Sequence, residues 1–184
     1  DVRLCDGIIY VLDSRAVFAC FNKRLFTVFG NKPVVYVINK RDLISDFAAR
    51  DIERYFREKG LVYELIDGLS KKDSQKIRSK CEWVMREKTE RNKQKGITKS
   101  LIINTLCGAK KAETGNKAGV TRSNKWVRFG GFELLDTPGT MPPNMSDQRY
   151  ARHLAYIGSI NDDILNSEDI ALQLIGELKE IAPN

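Results

Sequence analysis

The nine residues Val34-Val35-Tyr36-Val37-Ile38-Asn39-Lys40-Arg41-Asp42 set the architecture, because an apolar run passes directly into a polar turn. A short β-branched run of this kind is typical of a buried strand in a parallel sheet. Similar runs occupy residues 7–12 and 61–66, and apolar residues recur at helical spacing between Ser45 and Gly60 and again over 72–88. Ser45 or Asp46 can cap the first helix, and Gly60 can end it. This alternation of strands and helices predicts an α/β fold.

The second half of the chain predicts a β-hairpin followed by helices. Residues 126–129 and 132–135 flank Gly130-Gly131, which is a hairpin turn signal. Residues 147–156 and 168–181 have helical spacing, and Ser167 is available as a cap for the second of these helices. The polar stretch 90–100 is predicted to be a loop. We expect one principal domain over 1–145 and the start of a helical region over 146–184.

The polar turn after residue 38 has the chemistry of a guanine site. It has the pattern Asn-Lys-x-Asp and lies at the carboxyl end of a predicted strand, where α/β sheets bind ligands. Asp42 can accept hydrogen bonds from the N1–H and amine of guanine, and Asn39 can serve the O6/N7 side. The stem of Lys40 can lie over the base. The competing interpretation is an ordinary charged surface turn. The position of the motif directly after a predicted strand argues against it.

A second polar motif, Asp136-Thr137-Pro138-Gly139, also follows a predicted strand. In GTPases an aspartate at this place holds Mg²⁺ through water, and the glycine N–H meets the γ-phosphate. Fifteen residues upstream, Gly119-Val120-Thr121 offers a threonine hydroxyl that can reach Mg²⁺ when the γ-phosphate is present. In isolation, an ordinary Pro-Gly turn is the alternative explanation of Asp136-Thr137-Pro138-Gly139. Its occurrence together with Asn-Lys-x-Asp favours nucleotide binding.

The order of the motifs resembles the circularly permuted GTPases, and among them the YlqF/RbgA family of ribosome-assembly GTPases. The Asn-Lys-x-Asp motif precedes the Asp-x-x-Gly motif here by about a hundred residues, the reverse of ordinary GTPases. The resemblance extends to Asp13-Ser14-Arg15, to Trp126 and to 157–160. It implies a three-layer P-loop NTPase-like sheet with the motif order G4-G5-G1-G2-G3 and a short C-terminal helical segment.

The resemblance also implies the ligands, the partners and the remaining site residues. The guanine specificity loop is expected at Ile66-Asp67-Gly68 or at Leu69-Ser70-Lys71, with the first preferred. Thr121 and Asp136 are implied as Mg²⁺ ligands, and Gly139 as a phosphate contact. GTP and GDP are the implied nucleotides, with potassium as a possible activating ion and slow intrinsic hydrolysis. The implied partners are the large ribosomal subunit and ribosomal RNA in the cytoplasm, with neither membrane nor DNA.

One motif of the family is missing, because the sequence contains no Gly-x-x-x-x-Gly-Lys-Ser/Thr phosphate loop. Residues 101–103 pass straight into 104–106, where the family pattern has a strand, the phosphate loop and a helix. We therefore expect a missing segment and a break in the backbone between Ser100 and Thr105, with Ile103–Asn104 as the preferred place. The alternative is a true deletion, which favours a non-hydrolysing guanine-nucleotide-binding or RNA/protein scaffold module.

The charge distribution favours a polyanionic partner. The 184 residues carry a net charge of +7, with thirteen Lys/Arg against four Asp/Glu between residues 71 and 111. Residues 161–184 carry six acidic residues against one lysine. The alternative interpretation is that these charged residues form an ordinary solvated helix face. No apolar run reaches the roughly 18 residues that a membrane span needs, and four cysteines without Cys-x-x-Cys spacing predict free thiols.

Overall fold

A computed structural model describes residues 5–68, 71–86, 99–105, 125–129, 132–137, 147–160 and 166–182. Its strands form one six-stranded sheet in the order β3-β2-β1-β4-β6-β5. The strands are β1 (Gly7–Asp13), β2 (Val34–Asn39), β3 (Val62–Leu65), β4 (Lys99–Thr105), β5 (Lys125–Phe129) and β6 (Phe132–Thr137). All neighbouring pairs are parallel except β5 with β6, which are antiparallel. The parallel sheet and the hairpin are both confirmed.

Five helices accompany the sheet in the described part of the chain. They are α1 (Lys23–Phe29), α2 (Asp46–Glu58), α3 (Lys71–Val84), α4 (Gln148–Tyr156) and α5 (Ser167–Ile181). Of the two predicted caps of α2, Ser45 is confirmed, because its hydroxyl accepts a hydrogen bond from the Ala48 N–H at 3.2 Å, whereas Asp46 is the first residue of the helix. The predicted cap of α5 is wrong by one residue. Asn166, and not Ser167, accepts from the first amides of that helix, because its carbonyl oxygen reaches them from an extended backbone.

Two apolar clusters lie on opposite faces of the sheet, which therefore has three layers. Alternate residues of β1 divide between them: Tyr10 belongs to the first cluster and Ile9 to the second. The first also holds Phe56 of α2 and Leu154 of α4, and the second holds Cys81 of α3. The predicted layer architecture is confirmed, and the domain boundary at residue 145 stays a prediction.

The strand β4 contains the position at which a missing segment is expected. Ile103 and Asn104 are both in register with two strands at once. Ile103 pairs with Ile9 and Asp136, and Asn104 pairs with Tyr10 and Thr137. Because β4 lies between β1 and β6, its backbone forms hydrogen bonds on both sides. The missing segment at Ile103–Asn104 stays a prediction. The polar stretch predicted as a loop ends earlier, because Lys99 and Ser100 belong to β4.

Cys5, Cys20 and Cys81 are buried and form no disulfide bond among the described residues, in agreement with the prediction, while Cys107 lies outside the described residues. Among the helices that the structure describes, none combines the length and the apolar character required to cross a bilayer.

Candidate nucleotide site

The carboxyl ends of the parallel strands share one edge of the sheet. Asp13, the last residue of β1, is paired in register with Asn39, the last residue of β2. Beyond β1, Asn104 of β4 is in register with Thr137 of β6. The structure therefore brings the Asn-Lys-x-Asp motif and the start of the Asp-x-x-Gly motif to the same edge, where parallel sheets bind ligands.

The turn after β2 is shaped by its own backbone and by the strand next to it. Lys40 has a φ of 64°, the left-handed conformation, and a short 3-10 turn, Arg41–Leu43, follows it. The Arg41 N–H donates to the Ile66 carbonyl at 3.0 Å, and the Ile66 N–H donates to the Ile38 carbonyl at 2.9 Å. These two bonds join the loop after β3 to the guanine motif. Asp42 is exposed within the turn, so its carboxylate is accessible to a ligand.

Gly68 approaches the side chain of Asn39 so closely that a side chain at position 68 would force one of them to move. Its φ is +83°, and a Cβ built there would lie 2.4 Å from Asn39 Oδ1 and 3.0 Å from the Asn39 amide carbon. The same Oδ1 accepts a hydrogen bond from the Lys40 N–H at 2.7 Å. The Asn39 amide is thus held from one side by its own turn and limited on the other by Gly68. Such a constraint pre-orients a side chain for a ligand.

Asp13 connects the guanine motif to the end of β1. Its carboxylate is 1% exposed and accepts from Lys40 Nζ at 2.8 Å and from Arg15 Nη2 at 2.8 Å. The Ser14 hydroxyl donates to the Lys40 carbonyl at 2.7 Å. Both the backbone and the ammonium group of Lys40 are therefore fixed from the neighbouring strand, with the stem of its side chain extending toward β1.

The charge of Asp13 is stabilised where it lies. Burial alone would raise the pKa of this carboxyl, but the hydrogen bonds from Arg15 and Lys40 outweigh burial and lower its pKa below the ordinary value. Arg15 also donates to the Ile157 carbonyl at 3.2 Å, at the end of α4. The ionised Asp13 is thus the centre of a network that spans β1, β2 and the helical region after the sheet.

The predicted site residues are distributed as follows. Asn39, Lys40, Asp42, Ile66, Asp67 and Gly68 lie together at one edge of the sheet, with Ile66 buried and Asp67 exposed. Of the alternative specificity loop, Lys71 begins α3 and residues 69 and 70 lie outside the described residues. Asp136 is near the end of β6. Thr121 and Gly139 lie outside the described residues. Their assignments as ligand contacts stay predictions.

Sequence reasoning gave no role to Asp13 or Ser14, although the motif Asp13-Ser14-Arg15 was part of the resemblance. The contact between Asp13 and Lys40 joins residues 27 positions apart, and no local pattern reveals such a pairing. The available signal was a polar Asp-Ser pair directly after an apolar strand.

Comparison with known proteins identifies the family to which the chain belongs. The profile of a family described as "50S ribosome-binding GTPase" matches residues 97–182. A protein of Bacillus cereus named "Ribosome biogenesis GTPase A" is 30% identical over 99% of this chain and 67% of its own length. The chain belongs to the ribosome biogenesis GTPase A family. A member of this family from Priestia megaterium is also 30% identical, over 93% of this chain and 65% of its own.

Solved structures support the circularly permuted fold of the family. The chain resembles a GNP-bound YlqF from T. maritima with a TM-score of 0.65 and 18% identity, over 97% of this chain and 71% of that one. A GDP-bound YlqF structure gives a TM-score of 0.65 and 20% identity, over 92% and 68%. The chain thus spans about two thirds of the length of these ribosome biogenesis GTPase A relatives. The alignment with the B. cereus protein covers 198 positions, more than the 184 residues of this chain.

Proposed function

We propose that this chain binds GTP and GDP at the carboxyl edge of its sheet and acts in the assembly of the large ribosomal subunit. The observation that carries the proposal is the fixed Asn39 amide, confined between the Lys40 N–H and Gly68, beside an exposed Asp42. Family membership supports the same function.

Each residue of the proposed guanine pocket has a separate task. Asp42 accepts from the N1–H and amine of guanine, which adenine does not present as a pair. Asn39 faces the O6/N7 side, and the backbone of Ile66, Asp67 and Gly68 closes the pocket beside it. The Lys40 stem covers the base while Asp13 holds its ammonium group. Fixing Lys40 before the nucleotide arrives lowers the entropy lost on binding.

A magnesium ion fits the proposed phosphate side of the site. Mg²⁺ is usually held by one or two carboxylates together with substrate phosphates, and not by an all-protein cage. Asp136, near the end of β6, is the residue proposed to supply one such carboxylate, and no group of three or more potential ligands occurs among the described residues. When bound, the ion would neutralise phosphate charge, with Thr121 as a second ligand and Gly139 as a phosphate contact. Potassium is the further ion that the family resemblance implies.

Hydrolysis by this chain is proposed to be slow at most. A phosphate loop supplies backbone N–H groups and a lysine to the β- and γ-phosphates. The sequence lacks that motif, and Thr140 and Met141 follow Gly139 where Ras-like enzymes have a water-orienting glutamine. Nucleotide affinity then depends more on the base than in other GTPases.

A second candidate function is a guanine-nucleotide-binding scaffold that does not hydrolyse GTP. The absence of the phosphate-loop motif from the sequence favours it. Both candidates share the guanine pocket, and they differ only in the release of phosphate.

The proposed partner is ribosomal RNA of the large subunit, met in the cytoplasm, with neither DNA nor a membrane involved. The support is that residues 71–111 contain thirteen basic and only four acidic residues. This gives one region of the chain the positive charge that binds a polyanion.

Two measurements on the same preparation test the proposal. Titration with a fluorescent GDP, competed by unlabelled GDP, ADP and XDP, should show displacement by GDP alone. Release of inorganic phosphate from GTP, followed with and without 50S particles, then separates the candidates. Slow release that 50S particles accelerate supports the GTPase, and GDP binding with no release supports the scaffold. Equal displacement by GDP and ADP would refute the guanine pocket itself.

A further inference from the structure

The helix α3 (Lys71–Val84) has a face that its place in the fold does not explain. Cys81 and Met85, one residue past its end, are fully buried in the second apolar cluster, so this side of the helix is used for packing. Trp83 lies on the opposite side and is 60% exposed. Tryptophan is the largest apolar side chain, and leaving most of it in water forgoes much of the stabilisation that burial provides.

Lysines surround Trp83 on the exposed side. Lys72, Lys76 and Lys80 precede it at helical spacing of four, four and three residues, so the four side chains form one stripe, here called the Trp83 stripe. Arg86 follows one turn later and is exposed. From Lys72 to Trp83 the stripe extends about 16 Å along the helix.

Acidic residues near the Trp83 stripe are already paired. Glu82, the neighbour of Trp83, binds Arg78 at 2.8 Å. Lys76 contacts Glu64 at 3.3 Å and Asp73 at 3.7 Å, so part of its charge is neutralised. Lys72, Lys80 and Arg86 carry most of the charge that a ligand would meet.

We propose that the Trp83 stripe binds RNA, with an unpaired base stacked on the Trp83 indole and phosphates placed along Lys72 and Lys80. An aromatic ring among cations is the surface that single-stranded nucleic acid recognises, because every base has a π-face and every nucleotide a phosphate. The stripe belongs to a helix that begins three residues after Gly68, so the RNA would lie close along the chain to the proposed guanine pocket. This inference rests on the proposed RNA contact and names the surface that makes it.

Tryptophan fluorescence tests the proposal directly. The chain has two tryptophans, so Trp126→Phe leaves Trp83 as the sole indole. In this background acrylamide should quench the emission strongly, and a single-stranded oligonucleotide from large-subunit RNA should quench it further by stacking. Emission that acrylamide does not reach would mean that another part of the protein covers Trp83, which would overturn the proposal. Wild-type GDP affinity shows that the background is folded.

Matched variants separate stacking from charge. Trp83→Ala should weaken oligonucleotide binding about 10- to 100-fold, and Trp83→Phe should retain most of it. The aromatic control is Phe47→Ala, since Phe47 is 70% exposed on α2, outside the stripe; it should change nothing. Replacing Lys72 and Lys80 by glutamate should reduce the slope of log affinity against log salt by about 0.7 for each lysine. The charge control replaces Lys59 and Lys179, which lie outside the stripe, by glutamate.

The outcomes distinguish this surface from the function it serves. If wild-type protein binds no RNA at any salt concentration, the proposed RNA contact fails together with the stripe. If it binds RNA and Trp83→Ala binds equally well, only the stripe is refuted. Binding to 50S particles that survives RNase treatment and depends on Trp83 would assign the surface to a protein partner and refute the RNA proposal.

Discussion

Replacing Gly68 by alanine perturbs the proposed guanine pocket at one atom. The new Cβ would lie 2.4 Å from Asn39 Oδ1, about 1 Å inside ordinary contact. Either the loop or the Asn39 amide must move, and the 2.7 Å hydrogen bond between Asn39 Oδ1 and the Lys40 N–H is strained or lost. An Asn39 amide displaced by this much cannot keep its proposed contact with guanine.

The expected magnitude has two parts that a control separates. The φ of +83° costs a non-glycine residue about 1–2 kcal/mol of folding stability. Gly60 has a φ of +62°, but a Cβ added there would have no atom within 4 Å, so Gly60→Ala has the backbone cost without the clash. Gly68→Ala should in addition lose a hydrogen bond to the base, about 1–3 kcal/mol, which weakens GDP binding about 10- to 100-fold.

Calorimetric titration with GDP and thermal unfolding of both variants provide the check. We expect both variants to lose melting temperature through the backbone cost, with any further loss in Gly68→Ala due to the clash. Only Gly68→Ala should lose GDP affinity. Two variants with equal GDP affinity would refute the reasoning, because the contact between Gly68 and Asn39 would then have no part in nucleotide binding.

Three further substitutions probe the support around this pocket. Asp13→Asn should lower the free energy of unfolding by about 2 kcal/mol at pH 7. Because the folded-state pKa of Asp13 is lowered, the difference in unfolding free energy from wild type, measured with urea, should narrow below about pH 4. A difference that does not change with pH would contradict this. Ser14→Ala should weaken GDP binding a few-fold by freeing the Lys40 carbonyl, whereas unchanged affinity would exclude that role. Tyr10→Phe leaves the Asn22 N–H without its 2.9 Å acceptor and should cost about 1–3 kcal/mol of stability with GDP affinity intact.

Local pattern was sufficient to predict an α/β fold with parallel strands, whereas the three layers were implied by the family resemblance. The β-branched run before Asn39 and the spacing between Ser45 and Gly60 predicted a strand and a helix that the structure contains with small shifts at their ends. The residues after a parallel strand necessarily lie at the carboxyl edge of the sheet, so the position of Asp42 followed from the pattern as well.

Contacts between distant residues could not be predicted in this way. The bond of Lys40 with Asp13 depends on β1 and β2 lying side by side in register, which the two sequences do not specify. The close approach of Gly68 to Asn39 depends likewise on the turn geometry after β3. The missing segment expected at Ile103–Asn104 rests on the family's motif pattern and stays a prediction.

The measurement that tests the central claim most directly is the base preference of Asp42→Asn. The substitution replaces a hydrogen-bond acceptor by a group that can also donate, so it should disfavour the guanine amine and favour the 2-oxo group of xanthine, by about 1–3 kcal/mol in each direction. Calorimetric titrations with GDP and XDP should show that wild type prefers GDP and the variant prefers XDP. The same GDP preference in both proteins would contradict the account, because Asp42 would then not contact the base.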